Sequence, residues 1–97
     1  MITYTININS DYYELFREEA EKQKVSVSEL ARQVIANYIH GGDDVPIPDC
    51  KNDRRFVIKV HSEFLQIIDR YAIKHKIPRS QLARNAIKKY LYDKGLI

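Results

Sequence analysis

The amino-acid sequence predicts a mostly α-helical fold with one two-stranded antiparallel β-ribbon, assembled from two tandem strand–helix–helix repeats within a single chain. Three observations predict it. Sliding the chain by 52 residues aligns 2–40 with 54–92 without a gap, and 11 of those 39 positions are identical. Each copy opens on a segment that alternates apolar and polar residues, the pattern of a strand with one buried face. Each then carries two apolar stripes at helical spacing, and a repeat of that period signals one supersecondary unit used twice. The first repeat is placed at 1–40, a linker at 41–53 and the second repeat at 54–97.

In the first strand Tyr4, Ile6 and Ile8 are apolar and Thr3, Thr5 and Asn7 lie between them; in the second, Phe56, Ile58 and Val60 alternate with Arg55, Val57 and Lys59. A helix follows in each copy, with Ser10-Asp11 and Ser62-Glu63 as cap candidates. Tyr12/Tyr13, Phe16 and Ala20 recur as Phe64/Leu65, Ile68 and Tyr71/Ala72 at helical spacing. Breaks are expected at Lys24-Val25 and Lys76-Ile77. In the first copy Ser26 and Glu29 have the spacing of a capping box, in which side chain and backbone satisfy each other's unpaired N–H groups. Pro78 holds the matching place in the second copy, tolerated at a helix start because the N–H it lacks would have no partner there.

The second helices share a run, Leu30-Ala31-Arg32 on Leu82-Ala83-Arg84. Their apolar stripes are Leu30, Val34/Ile35, Tyr38/Ile39 and Leu82, Ala86/Ile87, Tyr90/Leu91, both expected in the core. Gly41-Gly42 closes the first copy, and the Gly-, Pro- and Asp-rich segment to Asp53 reads as a linker. One strand makes no sheet, and about 40 residues rarely hold a core alone. Pairing the two strands over four helices solves both problems. The linker's 13 residues span roughly 43–47 Å when extended, enough to let them pair within one chain.

Composition narrows the function. The 97 residues are 44% hydrophobic and 30% charged with a net charge of +3, ordinary for a globular protein. No apolar run approaches the roughly 18 residues of a membrane span. The N-terminal residues show no secretory pattern, and the single cysteine, Cys50, asks for no oxidising compartment, so an intracellular location is expected. Charge is divided unevenly: residues 1–48 carry four basic and eight acidic side chains, and 49–97 carry twelve and five. The repeats themselves differ more, −2 for 2–40 and +8 for 54–92. Such asymmetry suggests a polyanionic partner for the second copy, although basic side chains also simply solvate helix faces.

A strand of alternating faces, a short helix, and a second helix opening with Val25-Ser26-Val27-Ser28-Glu29-Leu30 or Ile77-Pro78-Arg79-Ser80-Gln81-Leu82 resembles the ribbon-helix-helix transcription regulators, the methionine-repressor and Arc superfamily. The chain is similar to a tandem, single-chain version in which two ribbon-helix-helix repeats form an intrachain pseudo-dimer. The resemblance implies a sequence-specific regulator of transcription, repressor or activator, whose ribbon enters the major groove of double-stranded DNA. Its base-reading residues would be Thr3, Thr5, Asn7, Arg55, Val57 and Lys59. The chemistry agrees: Asn pairs bidentately with adenine, Arg or Lys with guanine, and Val contacts a thymine methyl. Val57 departs from the polar pattern, so it either touches such methyls or marks weaker reading. The resemblance also implies phosphate contacts at the second helix's start, at Ser26, Val27, Ser28, Arg79 and Ser80, where unpaired N–H groups and the helix dipole favour an anion. For Ser26, capping is the competing role.

Because the strands carry different readers, the site is expected to be non-palindromic, one half under Thr3, Thr5 and Asn7 and the other under Arg55, Val57 and Lys59. Self-association on adjacent sites is expected through Ile73, which replaces Glu21 of the first copy, with Ile67 and Ile97. His40, His61, His75 and Cys50 match no metal-ligand spacing, and no catalytic constellation stands out, so neither metal, cofactor nor enzyme activity is expected. Antitoxins of the family it resembles carry a toxin-binding tail; only Asp93 to Ile97 follow the last expected helix here, so no toxin partner is expected. The alternative is a protein-interaction or oligomerisation module that keeps the fold without reading DNA. The amino-acid usage is similar to that of regulators from archaeal viruses or thermophiles.

Overall fold

A computed structural model of the chain describes residues 1–41 and 50–97. The element order is β1 (Ile2–Ile8), α1 (Ser10–Gln23), α2 (Val27–Gly41), β2 (Arg54–Val60), α3 (Ser62–His75) and α4 (Arg79–Asp93). Among the described residues the fold is mostly helical, with four helices and one two-stranded sheet. Of the linker expected at 41–53, residues 42–49 lie outside the described residues; Gly41 ends α2 and Lys51–Asp53 lead into β2.

The strands pair antiparallel in an unbroken register from Ile2 opposite Val60 to Ile8 opposite Arg54. Alternation does what the sequence predicts of it. Tyr4, Ile6, Ile8, Ile58 and Val60 are buried and Phe56 is half-buried, while Thr3, Thr5, Arg55, Val57 and Lys59 are exposed. The buried face rests on the helices. There Leu30, Ala31, Val34, Ile35 and Tyr38 of α2 meet a core that also takes Leu82, Ala83, Ala86, Ile87 and Leu91 of α4. Phe16 and Ala20 of α1 and Ile68 and Ala72 of α3 complete it. Each fully buried Ile, Leu or Phe stabilises the fold by about 1.5–3 kcal/mol relative to exposure, and both halves of the chain contribute such residues to one core.

The helix ends are where local chemistry departs from expectation. The cap of α1 is Asn9, not Ser10: the Asn9 side chain accepts from the Asp11 N–H at 2.9 Å. Ser10 instead donates its own N–H to Asp53 at 2.9 Å, which ties the end of the linker to the start of α1. That hydrogen bond holds the Asp53 carboxyl below the usual carboxylate range. In the second repeat the cap position falls to His61, which makes no side-chain cap bond. Ser26 caps α2 as the capping-box spacing predicts, accepting from the Glu29 N–H at 3.0 Å. Both first helices end on a lysine in the left-handed region, Lys24 at φ 58° and Lys76 at φ 57°. In each case the next N–H reaches back to the carbonyl five residues earlier, Val25 to Ala20 at 3.1 Å and Ile77 to Ala72 at 3.0 Å. This turn ends the first helix and leads the chain into the second.

Candidate nucleic-acid interface

The outer face of the ribbon collects all six side chains expected to read bases. Antiparallel pairing sets Thr3 beside Lys59, Thr5 beside Val57 and Asn7 beside Arg55. Five of the six are exposed and Asn7 is half-buried. Directly opposite Cβ atoms in such a pair lie about 4.5–5.5 Å apart, so the six form a two-by-three array. Neutral polar groups line the β1 side, and two cations flank Val57 on the β2 side. Val57 is 55% exposed, an apolar side chain left in water at the centre of the array.

The start of α4 lies against this face. Pro78, Arg79 and Ser80 line, with Thr3, Tyr4, Thr5 and Asn7, an open cleft of about 430 Å³. Tyr4 reaches across from β1 and its hydroxyl donates to the Arg79 carbonyl. Burial pushes the Tyr4 phenol well above its usual pKa, so this donor keeps its proton. The Arg79 side chain meets Asp69 of α3 at 3.2 Å, and both are about half exposed. An exposed pair of this kind is worth only about 0–1 kcal/mol, so Arg79 can exchange Asp69 for a phosphate at little cost. At the start of α2, Ser26 is exposed, Val27 and Ser28 are half-buried, and the Ser26 hydroxyl oxygen is already used in capping. The first turn of α2 carries Glu29 and no basic residue. The five expected phosphate contacts therefore fall into unequal groups.

Two further residues act on this face from behind. Arg32 of α2 donates to the Lys59 carbonyl at 2.8 Å, and Arg84 of α4 donates to the Asn7 carbonyl at 3.3 Å. Each arginine thus holds a strand carbonyl contributed by the other repeat. Neither had been singled out as functional, although the repeated Leu-Ala-Arg run carried the signal. The Asp69 partner of Arg79 had none, since only the α3–α4 turn brings the two together. Arg54, just outside the array, sits over the Tyr13 ring, 4.3 Å from its centroid.

A second cleft, of about 390 Å³ between the C-terminal parts of α2 and α4, shares no residue with the ribbon face. Among the described residues no group of three or more His, Cys, Asp or Glu side chains is placed to hold a metal ion. Among them no helix is long and apolar enough to cross a membrane.

Similar proteins occur in archaeal viruses. The chain is 46% identical over 35 residues to an uncharacterized protein, ORF59b, of Acidianus filamentous virus 1, an alignment that covers 36% of this chain and 59% of the relative. It is 34% identical over 55 residues to uncharacterized protein 28 of Sulfolobus islandicus filamentous virus, covering 57% of this chain and 54% of the relative. The chain thus spans little more than half the length of these relatives. No protein-family model matches it, and no solved structure matches it.

Proposed function

We propose that this chain is a single-chain ribbon-helix-helix regulator that binds double-stranded DNA by laying its β-ribbon in the major groove. The observation that carries the reading is the ribbon's outer face, a two-by-three array of exposed readers with Arg55 and Lys59 along one side. A two-stranded ribbon fits the width of the major groove, and this array presents groups suited to guanine, adenine and the thymine methyl. The register supports the intrachain pseudo-dimer. Thr5 pairs with Val57, the residue 52 positions on, so the pairing is centred on matching positions of the two copies. The bonds of Arg32 and Arg84, also 52 apart, cross between the copies in the same reciprocal way.

Phosphate contacts come mainly from the α4 side, through Arg79 and Ser80, with Ser26, Val27 and Ser28 of α2 as the weaker, uncharged counterpart. The same ribbon would serve repression or activation of viral genes, in the cytoplasm of the host. A protein-interaction module is the second reading, favoured by the acidic outer stripe of α1, where Glu14, Glu18 and Glu21 surround Arg17.

A gel shift titrated with salt decides between them. DNA binding is expected to weaken steeply, with a log–log slope of about −0.9 for each phosphate contacted. Arg79→Ala should flatten that slope by about 1 and weaken all sequences alike. Retention of no duplex at low salt would leave the interaction module.

A further inference from the structure

Antiparallel pairing regroups the readers in a way that neither strand alone suggests. The centre of the register lies at Thr5 and Val57, so what falls to either side of it is an end of the ribbon, not a strand. One end holds Asn7 with Arg55, and the other holds Thr3 with Lys59. Every half of a bound site would therefore be read by one residue from each repeat. The array covers four residue steps along a strand, roughly 13 Å, close to four base-pair steps of duplex.

The two ends differ in kind. Asn and Arg both make bidentate contacts whose geometry fixes the base, adenine for one and guanine for the other. Lys also contacts guanine, but as a compact point charge on a flexible stem that fixes geometry less, and Thr bonds to several bases. The bracing arginines sharpen the contrast. Arg84 holds the Asn7 carbonyl and Arg32 holds the Lys59 carbonyl, so each end has one braced backbone position. A directional amide gains from a fixed backbone, because both of its hydrogen bonds must meet one base edge. A mobile ammonium gains little.

We propose, resting on the DNA reading above, that the chain recognises a non-palindromic duplex in one orientation, with Asn7 and Arg55 as its discriminating end and Arg84 as the positioning residue for Asn7. The Thr3–Lys59 end holds the other half of the site with loose base preference. The division expected from sequence, one strand to each half, gives way to a division by ribbon end.

Selection from a random duplex library, with the intact chain and four variants, tests this. The wild-type chain should enrich a non-palindromic motif with one sharp half and one degenerate half. Asn7→Ala and Arg55→Ala should each lose roughly 5- to 150-fold in affinity for that motif and relax positions in the same, sharp half. Lys59→Ala should relax only the other half. Arg84→Lys should relax the adenine position alone, with the preference under Lys59 and the salt slope unchanged, a pattern that general unfolding cannot give. A palindromic motif would overturn the proposal, as would Asn7→Ala and Arg55→Ala relaxing opposite halves, and either leaves DNA binding intact. Enrichment of no sequence at all would instead sink the DNA reading on which the proposal rests.

Discussion

The two repeats have the same element lengths, a strand of 7 residues and helices of 14 and 15, yet their net charges are −2 and +8. Their identical residues lie where the fold leaves few choices. Ile6/Ile58, Ala20/Ala72, Leu30/Leu82, Ala31/Ala83 and Ile35/Ile87 are all buried, and Lys24/Lys76 share one backbone turn. Their differences lie where water is the neighbour. On the outer stripe of the first helix, Glu14, Glu18 and Glu21 become Gln66, Arg70 and Ile73. On the ribbon, Thr3 and Asn7 become Arg55 and Lys59. Packing holds one set of positions fixed and leaves the other free, so one copy can stay acidic while the other becomes basic.

If that division is right, the cores of the two repeats are interchangeable in weight although their surfaces are not. Ile6→Ala and Ile58→Ala should each destabilise the protein by about 2–5 kcal/mol, through lost burial and the cavity left behind. Ile6 is 0% exposed and Ile58 1%, and both belong to the inner face of the same ribbon. Urea denaturation followed by circular dichroism measures the pair. One transition for the whole chain, shifted alike by both substitutions, is the expected result. Two transitions, or a large loss from only one substitution, would break the equivalence and make one repeat an independent folding unit.

Much of this was legible in the sequence because it depends on short-range periodicity. Period two assigned each ribbon residue to a face, and helical spacing assigned the stripes that α2 and α4 bury. What was not legible depends on relations between distant segments. Alternation tells which face Asn7 occupies, but not that Arg55 stands beside it; only the register does. The Ser10 cap failed partly for the same reason: the Ser10 hydroxyl donates to Asp53, 43 residues away, at 3.4 Å, while the neighbouring Asn9 side chain caps α1. The bracing arginines were visible as identical residues without a role. Their role appeared once helix α4 lay against β1, and α2 against β2.

The surface difference predicts a smaller effect. Ile73 is 77% exposed where the first repeat carries Glu21, and Ile67 is also exposed at 46%. Ile97, expected to be partly exposed, is half-buried and packs against the core. We expect Ile73 to support contact between chains bound side by side on DNA. Ile73→Glu, which restores the residue of the first copy, should lower the cooperativity of binding to long duplexes and leave the affinity for a single short site unchanged. Full burial of such a side chain is worth about 1.5–3 kcal/mol, and an interface that covers only part of it contributes about half of that. Titration of short and long duplexes with both proteins measures the difference. Equal cooperativity would confine the role of α3 to its buried side.

The smallest expected effect tests the closest likeness between the copies, the lysine turn between first and second helices. Lys24 and Lys76 both hold a left-handed backbone, at φ 58° ψ 39° and φ 57° ψ 43°. That conformation costs a residue with a Cβ about 1–2 kcal/mol. Glycine removes that strain, but it brings back about 0.5–1 kcal/mol of chain entropy lost on folding. It also forfeits a cation at the helix C-terminus, worth about 0.3 kcal/mol when the charge is exposed and screened by salt. The balance is a gain of about 0.5 kcal/mol for Lys24→Gly and the same for Lys76→Gly, at moderate ionic strength. The sites share no partners, so the double variant should gain about 1 kcal/mol. Lys→Val at either position keeps the strain, adds a branched Cβ and removes the charge, and should lower the urea midpoint. A gain at one lysine and a loss at the other would mean that the two turns are not equivalent, and the likeness of the repeats would then stop at their cores.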